Sequence, residues 1–85
     1  VTYKIVLSRQ AERCYSNVDA KTVSRLNKAF EVLESNPQPS AAKALKGELE
    51  GFWRVRVGHL RVIYQPNEML REIRIIRIGP REDAY

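Results

Sequence analysis

FWRVRVGHLRVIY, residues 52–64, decides the fold. Apolar and basic side chains alternate on both sides of Gly58-His59, and a period of two is the period of a strand. A two-residue loop with Gly suits the primed turns that close hairpins, because Gly takes positive φ without steric cost. Counting outward from that turn pairs Val57 with Leu60, Arg56 with Arg61, Val55 with Val62, Arg54 with Ile63 and Trp53 with Tyr64. One face then carries Trp53, Val55, Val57, Leu60, Val62 and Tyr64, which is a core surface. The other carries Arg54, Arg56, Arg61 and Ile63. Arg56 opposite Arg61 places like charges side by side, which destabilises a sheet unless something anionic sits there. A solvated polar face is one explanation, and a phosphate-binding face is the other.

The whole chain has 85 residues and a formal net charge of +5. That length supports one small domain with a modest core. No apolar run has the length of a membrane span or a signal-peptide core, so a soluble, unexported protein is expected. The single cysteine cannot form an internal disulfide, which fits a reducing cytoplasm. The sequence offers no His/Cys/Asp/Glu cluster spaced to hold a metal, and neither metal nor cofactor is expected. The charge is unevenly distributed. All five lysines lie within residues 1–50, whereas the seven basic residues of 51–85 are all arginine: Arg54, Arg56, Arg61, Arg71, Arg74, Arg77 and Arg81. Arginine presents a planar fork of donors that matches phosphate oxygens and stays charged at any biological pH. Arginines gathered on a sheet of a small basic domain point to a nucleic-acid partner.

Working outward, Tyr3, Ile5 and Leu7 read as the inward side of a first strand. Ser8 is placed to cap a helix over 9–16, in which Ala11, Cys14 and Tyr15 make one apolar stripe. Cys14 is thereby a small core residue rather than a nucleophile. Asp19 caps a second helix over 20–34, with Val23, Leu26, Phe30 and Leu33 facing the sheet and Lys21, Arg25, Lys28 and Glu31 outside. Residues 35–44, SNPQPSAAKA, read as a loop punctuated by Pro37 and Pro39. Pro66-Asn67-Glu68 is a turn signal, and residues 72–78, EIRIIRI, form a last strand of imperfect alternation. The expected fold is α+β in the order β-α-α-β-β-β. A two-helix hairpin covers one face of a small, mostly antiparallel four-stranded sheet, with a right-handed crossover from the first strand. The arginines fall on the other face.

These residues resemble a known family. Leu45-Lys46-Gly47, then Phe52 to Gly58, then Leu60 to Tyr64, then Ile78-Gly79-Pro80-Arg81-Glu82 and a closing Tyr85 are similar to the RelE toxins of bacterial toxin–antitoxin systems, within the RelE/ParE superfamily. The likeness spans residues 1–85 as one RelE-like domain. It implies a ribosome-dependent, metal-independent mRNA endonuclease that inhibits translation by cutting in the decoding site. The implied chemistry is attack of a ribose 2′-OH on the adjacent phosphate with departure of the 5′-oxygen. By the same resemblance Tyr85 acts on the 2′-OH as base or orienter, and Arg61 and Arg81 stabilise the transition-state phosphate. Arg54 and Arg56 hold the scissile region, and Arg77 joins the nucleic-acid contacts. Better-known members often carry lysine at positions 54 and 56; arginine keeps the charge there but gives up no proton. The implied partners are ribosome and mRNA, and a RelB-like antitoxin that is acidic where it covers the arginines, whose complex with the toxin binds operator DNA through the antitoxin. No membrane partner is implied.

Two other functions suit the same residues. The sister ParE toxins poison DNA gyrase and are not nucleases; they share the hairpin but generally lack the basic set with a terminal tyrosine. A non-catalytic RNA- or partner-binding module would keep the arginines for phosphate contact and have no need of Tyr85. His59, the sole imidazole, reads as a turn residue, and Tyr85 taken alone reads as a terminal aromatic packed on the sheet edge.

Overall fold

The computed structural model describes residues 2–80. Strand β1 (Lys4–Leu7) leads to helices α1 (Arg9–Asn17) and α2 (Ala20–Ser35), then to β2 (Lys43–Ala44), a 3-10 turn (Gly47–Leu49), β3 (Trp53–Val57), β4 (Leu60–Asn67) and β5 (Glu72–Pro80). The strands form one sheet in the order β1-β5-β4-β3-β2. β1 runs parallel to β5, as the helical crossover requires, and the other neighbours are antiparallel.

Both helix starts are capped as the sequence predicts. Ser8 Oγ accepts the Ala11 N–H at 3.1 Å, and Asp19 Oδ1 accepts the Thr22 N–H at 3.1 Å. Hydrogen bonding from the Thr22 side chain, and after it from the Thr22 N–H, holds the Asp19 carboxyl below its ordinary range. Leu26, Phe30 and Leu33 of α2 and Ala11 of α1 are buried against Val55, Val57, Val62, Tyr64, Ile73, Ile75 and Ile78 of the sheet. Tyr64 is fully buried, and its hydroxyl donates to the Pro37 carbonyl at 2.7 Å, so the core fastens the proline-bearing loop. Tyr64→Phe keeps the ring and leaves that carbonyl without its donor. We expect a loss of about 1 kcal/mol in urea unfolding, the usual net worth of one such bond.

The hairpin register is the one counted from the sequence, Trp53 with Tyr64 through Val57 with Leu60. Gly58 has φ +60° while His59 does not enter the left-handed region, the pattern of a turn with Gly at its first central position. A Cβ on Gly58 would lie 3.1 Å from Arg25 Nη1. Gly58→Ala therefore meets both backbone strain and a crowded guanidinium. We expect it to cost about 1–2 kcal/mol of stability in thermal or urea unfolding.

The structure corrects the expected fold in four places. The sheet has five strands, because Lys43 and Ala44, expected in a loop, pair with Arg54 and Trp53. β4 runs through Pro66 to Asn67, so the turn lies one step later, where Asn67 Oδ1 accepts the Leu70 N–H at 3.0 Å and Arg71 takes φ +53°. Proline is tolerated there because β3 begins opposite Tyr64, so that among the described residues β4 beyond that point has only β5 beside it. β5 extends to Pro80 rather than Ile78 and contains a bulge: Tyr64 pairs with Ile75 but Ile63 with Arg77, which leaves Ile76 as the extra residue. The bulge explains the imperfect alternation. It shifts the strand's phase, so Ile73, Ile75 and Ile78 all face the core while Arg77 is turned to the other side. Last, Ile63 is only 3 % exposed although it sits on the face away from the helices, so that face is not wholly open.

Candidate functional site

Residues directly opposite one another in a sheet project to the same face. The pairings therefore assemble two rows on the side away from the helices. The first runs Lys43, Arg54, Ile63, Arg77 across β2, β3, β4 and β5. The second runs Arg56, Arg61, Gly79 across β3, β4 and β5. Strand spacing puts Arg54 and Arg77 about 10 Å apart at the backbone, with Ile63 between them. The aliphatic stems of such long side chains can cover an apolar neighbour while their heads stay in water. Arg54 and Arg61 are half-buried, whereas Lys43, Arg56 and Arg77 are exposed. The face thus has an apolar floor at Ile63 and a rim of cations.

Four of the six predicted site residues, Arg54, Arg56, Arg61 and Arg77, are brought together on this face. Arg81 and Tyr85 lie outside the described residues. Lys43 belongs to the same row and was missed, because a two-residue strand shows no alternation; the signal was a lysine shortly after the prolines of the loop. Arg74 pairs with Glu72 at 3.4 Å, outside both rows.

The described tyrosines are occupied elsewhere. The Tyr3 hydroxyl donates to Glu68 and lies under the Arg71 guanidinium, which stands 5.5 Å from the ring centre. The bond to Glu68, with burial, pushes the Tyr3 hydroxyl above its usual range. Tyr15 donates to Asn27 at 2.7 Å. Burial pushes Tyr64 up to about 12. Burial also raises the Cys14 thiol, which removes thiolate character and agrees with its reading as a packing residue. His59 is exposed in the hairpin turn. Among the described residues no three His, Cys, Asp or Glu side chains gather as a metal site, and no helix is long and apolar enough to cross a membrane.

A model of the family described as ParE toxin of type II toxin–antitoxin system, parDE, matches residues 5–85. The chain belongs to this toxin family. Solved structures agree. The toxin is similar to a chain of the archaeal RelE–RelB complex from Pyrococcus horikoshii, at 27 % identity and a TM-score of 0.83 over 99 % of this chain and 100 % of that one. It shares its fold with a chain of the RelBE2 toxin–antitoxin complex from Mycobacterium tuberculosis, at 24 % identity and a TM-score of 0.81 over 95 % and 100 % of the two chains. It also shares it with the YoeB/ParE toxin from Agrobacterium tumefaciens, at 20 % identity and a TM-score of 0.81 over 91 % and 96 %. No curated protein matches the chain. The resemblance stated from the hairpin and its flanks therefore holds at the level of the RelE/ParE superfamily, and the protein is a toxin of a type II toxin–antitoxin system. Its arginine face is the feature to be explained.

Proposed function

We propose that this toxin is an endoribonuclease that cuts mRNA on the translating ribosome, with the arginine face as its phosphate-binding site. The observation that supports this reading most is the double row of Lys43, Arg54 and Arg77 beside Arg56 and Arg61, built over the Ile63 floor. Guanidinium groups gathered on one face match the oxygens of an RNA backbone.

In the proposed reaction the 2′-oxygen of one ribose attacks the adjacent phosphorus while the bond to the 5′-oxygen of the next nucleotide breaks. One product ends in a 2′,3′-cyclic phosphate and the other begins with a 5′-hydroxyl. Charge gathers on the phosphate oxygens in the transition state, and donors already in place stabilise it without reorganising. Arg61, half-buried in the middle of the second row, is assigned this role together with Arg81. Arg54 and Arg56, with Arg77 and Lys43 beside them, hold the flanking backbone.

Tyr85 is assigned to the 2′-OH. That assignment comes from the family resemblance; the hydroxyls of Tyr3, Tyr15 and Tyr64 are hydrogen-bonded within the fold. A phenol's ordinary pKa of about 10 makes it a weak base at neutral pH, and neighbouring guanidinium groups favour the phenolate. Arginine at 54 and 56 does not release a proton, so the proton for the departing 5′-oxygen comes from another group or from water. The proposed partners are a RelB-like antitoxin with an acidic segment over the arginines, and ribosome-bound mRNA.

Gyrase inhibition is the second reading, and the ParE description of the matching family favours it. Parallel assays of reconstituted translation and gyrase supercoiling separate the two. The endonuclease reading expects translation to stop and supercoiling to proceed. Arrested supercoiling with intact mRNA would overturn it.

A further inference from the structure

The first turn of α1 does more than begin a helix. β1 accompanies β5 only as far as the pair Leu7 and Ile75, and Ser8 then turns the chain into α1. Among the described residues no strand therefore lies on that side of β5 from Ile76 to Pro80. Side chains stand in for the missing neighbour. Ser8 Oγ donates to the Ile76 carbonyl at 2.7 Å while still accepting the Ala11 N–H. The Gln10 carboxamide makes two bonds to one residue: Nε2 donates to the Ile78 carbonyl at 2.8 Å, and Oε1 accepts the Ile78 N–H at 2.9 Å. That is the paired donation and acceptance a neighbouring strand would give, supplied by one side chain.

These bonds fall where the site depends on β5. Ile76 is the bulge residue, Arg77 owes its face to that bulge, and Pro80 directly precedes Arg81. We propose that Gln10, supported by Ser8, is a positioning residue for the arginine site. It holds the last residues of β5, Ile76 to Pro80, in the phase that presents Arg77. It touches no substrate and acts through β5. This inference rests on the endonuclease reading.

Gln10→Ala removes both bonds to Ile78, while Gln10→Glu keeps an acceptor for the Ile78 N–H and loses the donor to its carbonyl. Single-turnover cleavage of ribosome-bound mRNA, read as kcat and KM, tests the role, with amide exchange at Ile78 reporting whether the clamp is lost. A displacement of catalytic groups by about 1 Å can cost on the order of 100-fold. We expect kcat to fall about 10–100-fold in Gln10→Ala, with KM within about 2-fold, a cooperative unfolding transition and faster exchange at Ile78. Gln10→Glu should fall in the same direction, and it carries the test if Gln10→Ala does not fold. An unchanged kcat with faster Ile78 exchange overturns the inference, as does a loss that tracks only the unfolded fraction or that moves KM alone. Wild-type protein that cuts nothing overturns the endonuclease reading itself, and this inference with it, before any variant is compared.

Discussion

Arg61→Ala should lower mRNA cleavage by about 100–1,000-fold, the usual loss when one preorganised donor to a developing oxyanion is removed. The expectation rests on where the residue sits. Arg61 lies across from Arg56 on one side and Gly79 on the other, so it occupies the middle of its row. It is half-buried, and water competes less with a guanidinium that is partly withdrawn from solvent. Arg61→Lys keeps the charge and loses the fork, so it should recover only part of the rate. Single-turnover cleavage with saturating ribosomes is the check. A change of less than about 3-fold would remove Arg61 from the reacting phosphate, since a donor to the transition state is worth far more than that.

The second large effect concerns the scaffold. Leu26 is fully buried where α2 lies on the sheet, and Leu26→Ala should cost about 2–5 kcal/mol through lost burial and the cavity left behind. Small domains have only about 5–15 kcal/mol in total, so the variant should show a sharply lower urea midpoint and be close to unfolding at growth temperature. Val32, six residues further along α2, is 49 % exposed, and Val32→Ala should leave the midpoint nearly unchanged. Equal responses from Leu26 and Val32 would contradict the orientation of α2.

The hairpin was legible because two independent signals agree there: strict alternation on both strands and a Gly-containing turn of two residues. The helix starts were legible for a similar reason, since Ser8 and Asp19 each stand directly before an apolar stripe. β2 was not, because two residues carry no period and the preceding prolines argue for a loop. The end of β4 was misplaced because Pro66 is a strong turn signal, and only the sheet order shows that, among the described residues, β4 lacks a second neighbour there. EIRIIRI carried its bulge in plain view as a break in alternation, but a sequence shows a broken period without showing which residue is extra. Of the site, the arginines of β3 and β4 followed from the hairpin alone. Arg77 reached their face only through the bulge, and Lys43 only through β2. The Gln10 clamp left no trace in the sequence, since a glutamine in the first turn of a helix is an ordinary solvated residue until the strand it meets is known.

Primer extension on an mRNA translated in a purified bacterial system, with and without the toxin, tests the central claim most directly. The arginine face as an RNA-cleaving site predicts discrete new 5′ ends within codons, seen only while ribosomes translate and strongly reduced with Arg61→Ala. Full-length mRNA throughout, with the toxin present and folded, would contradict it.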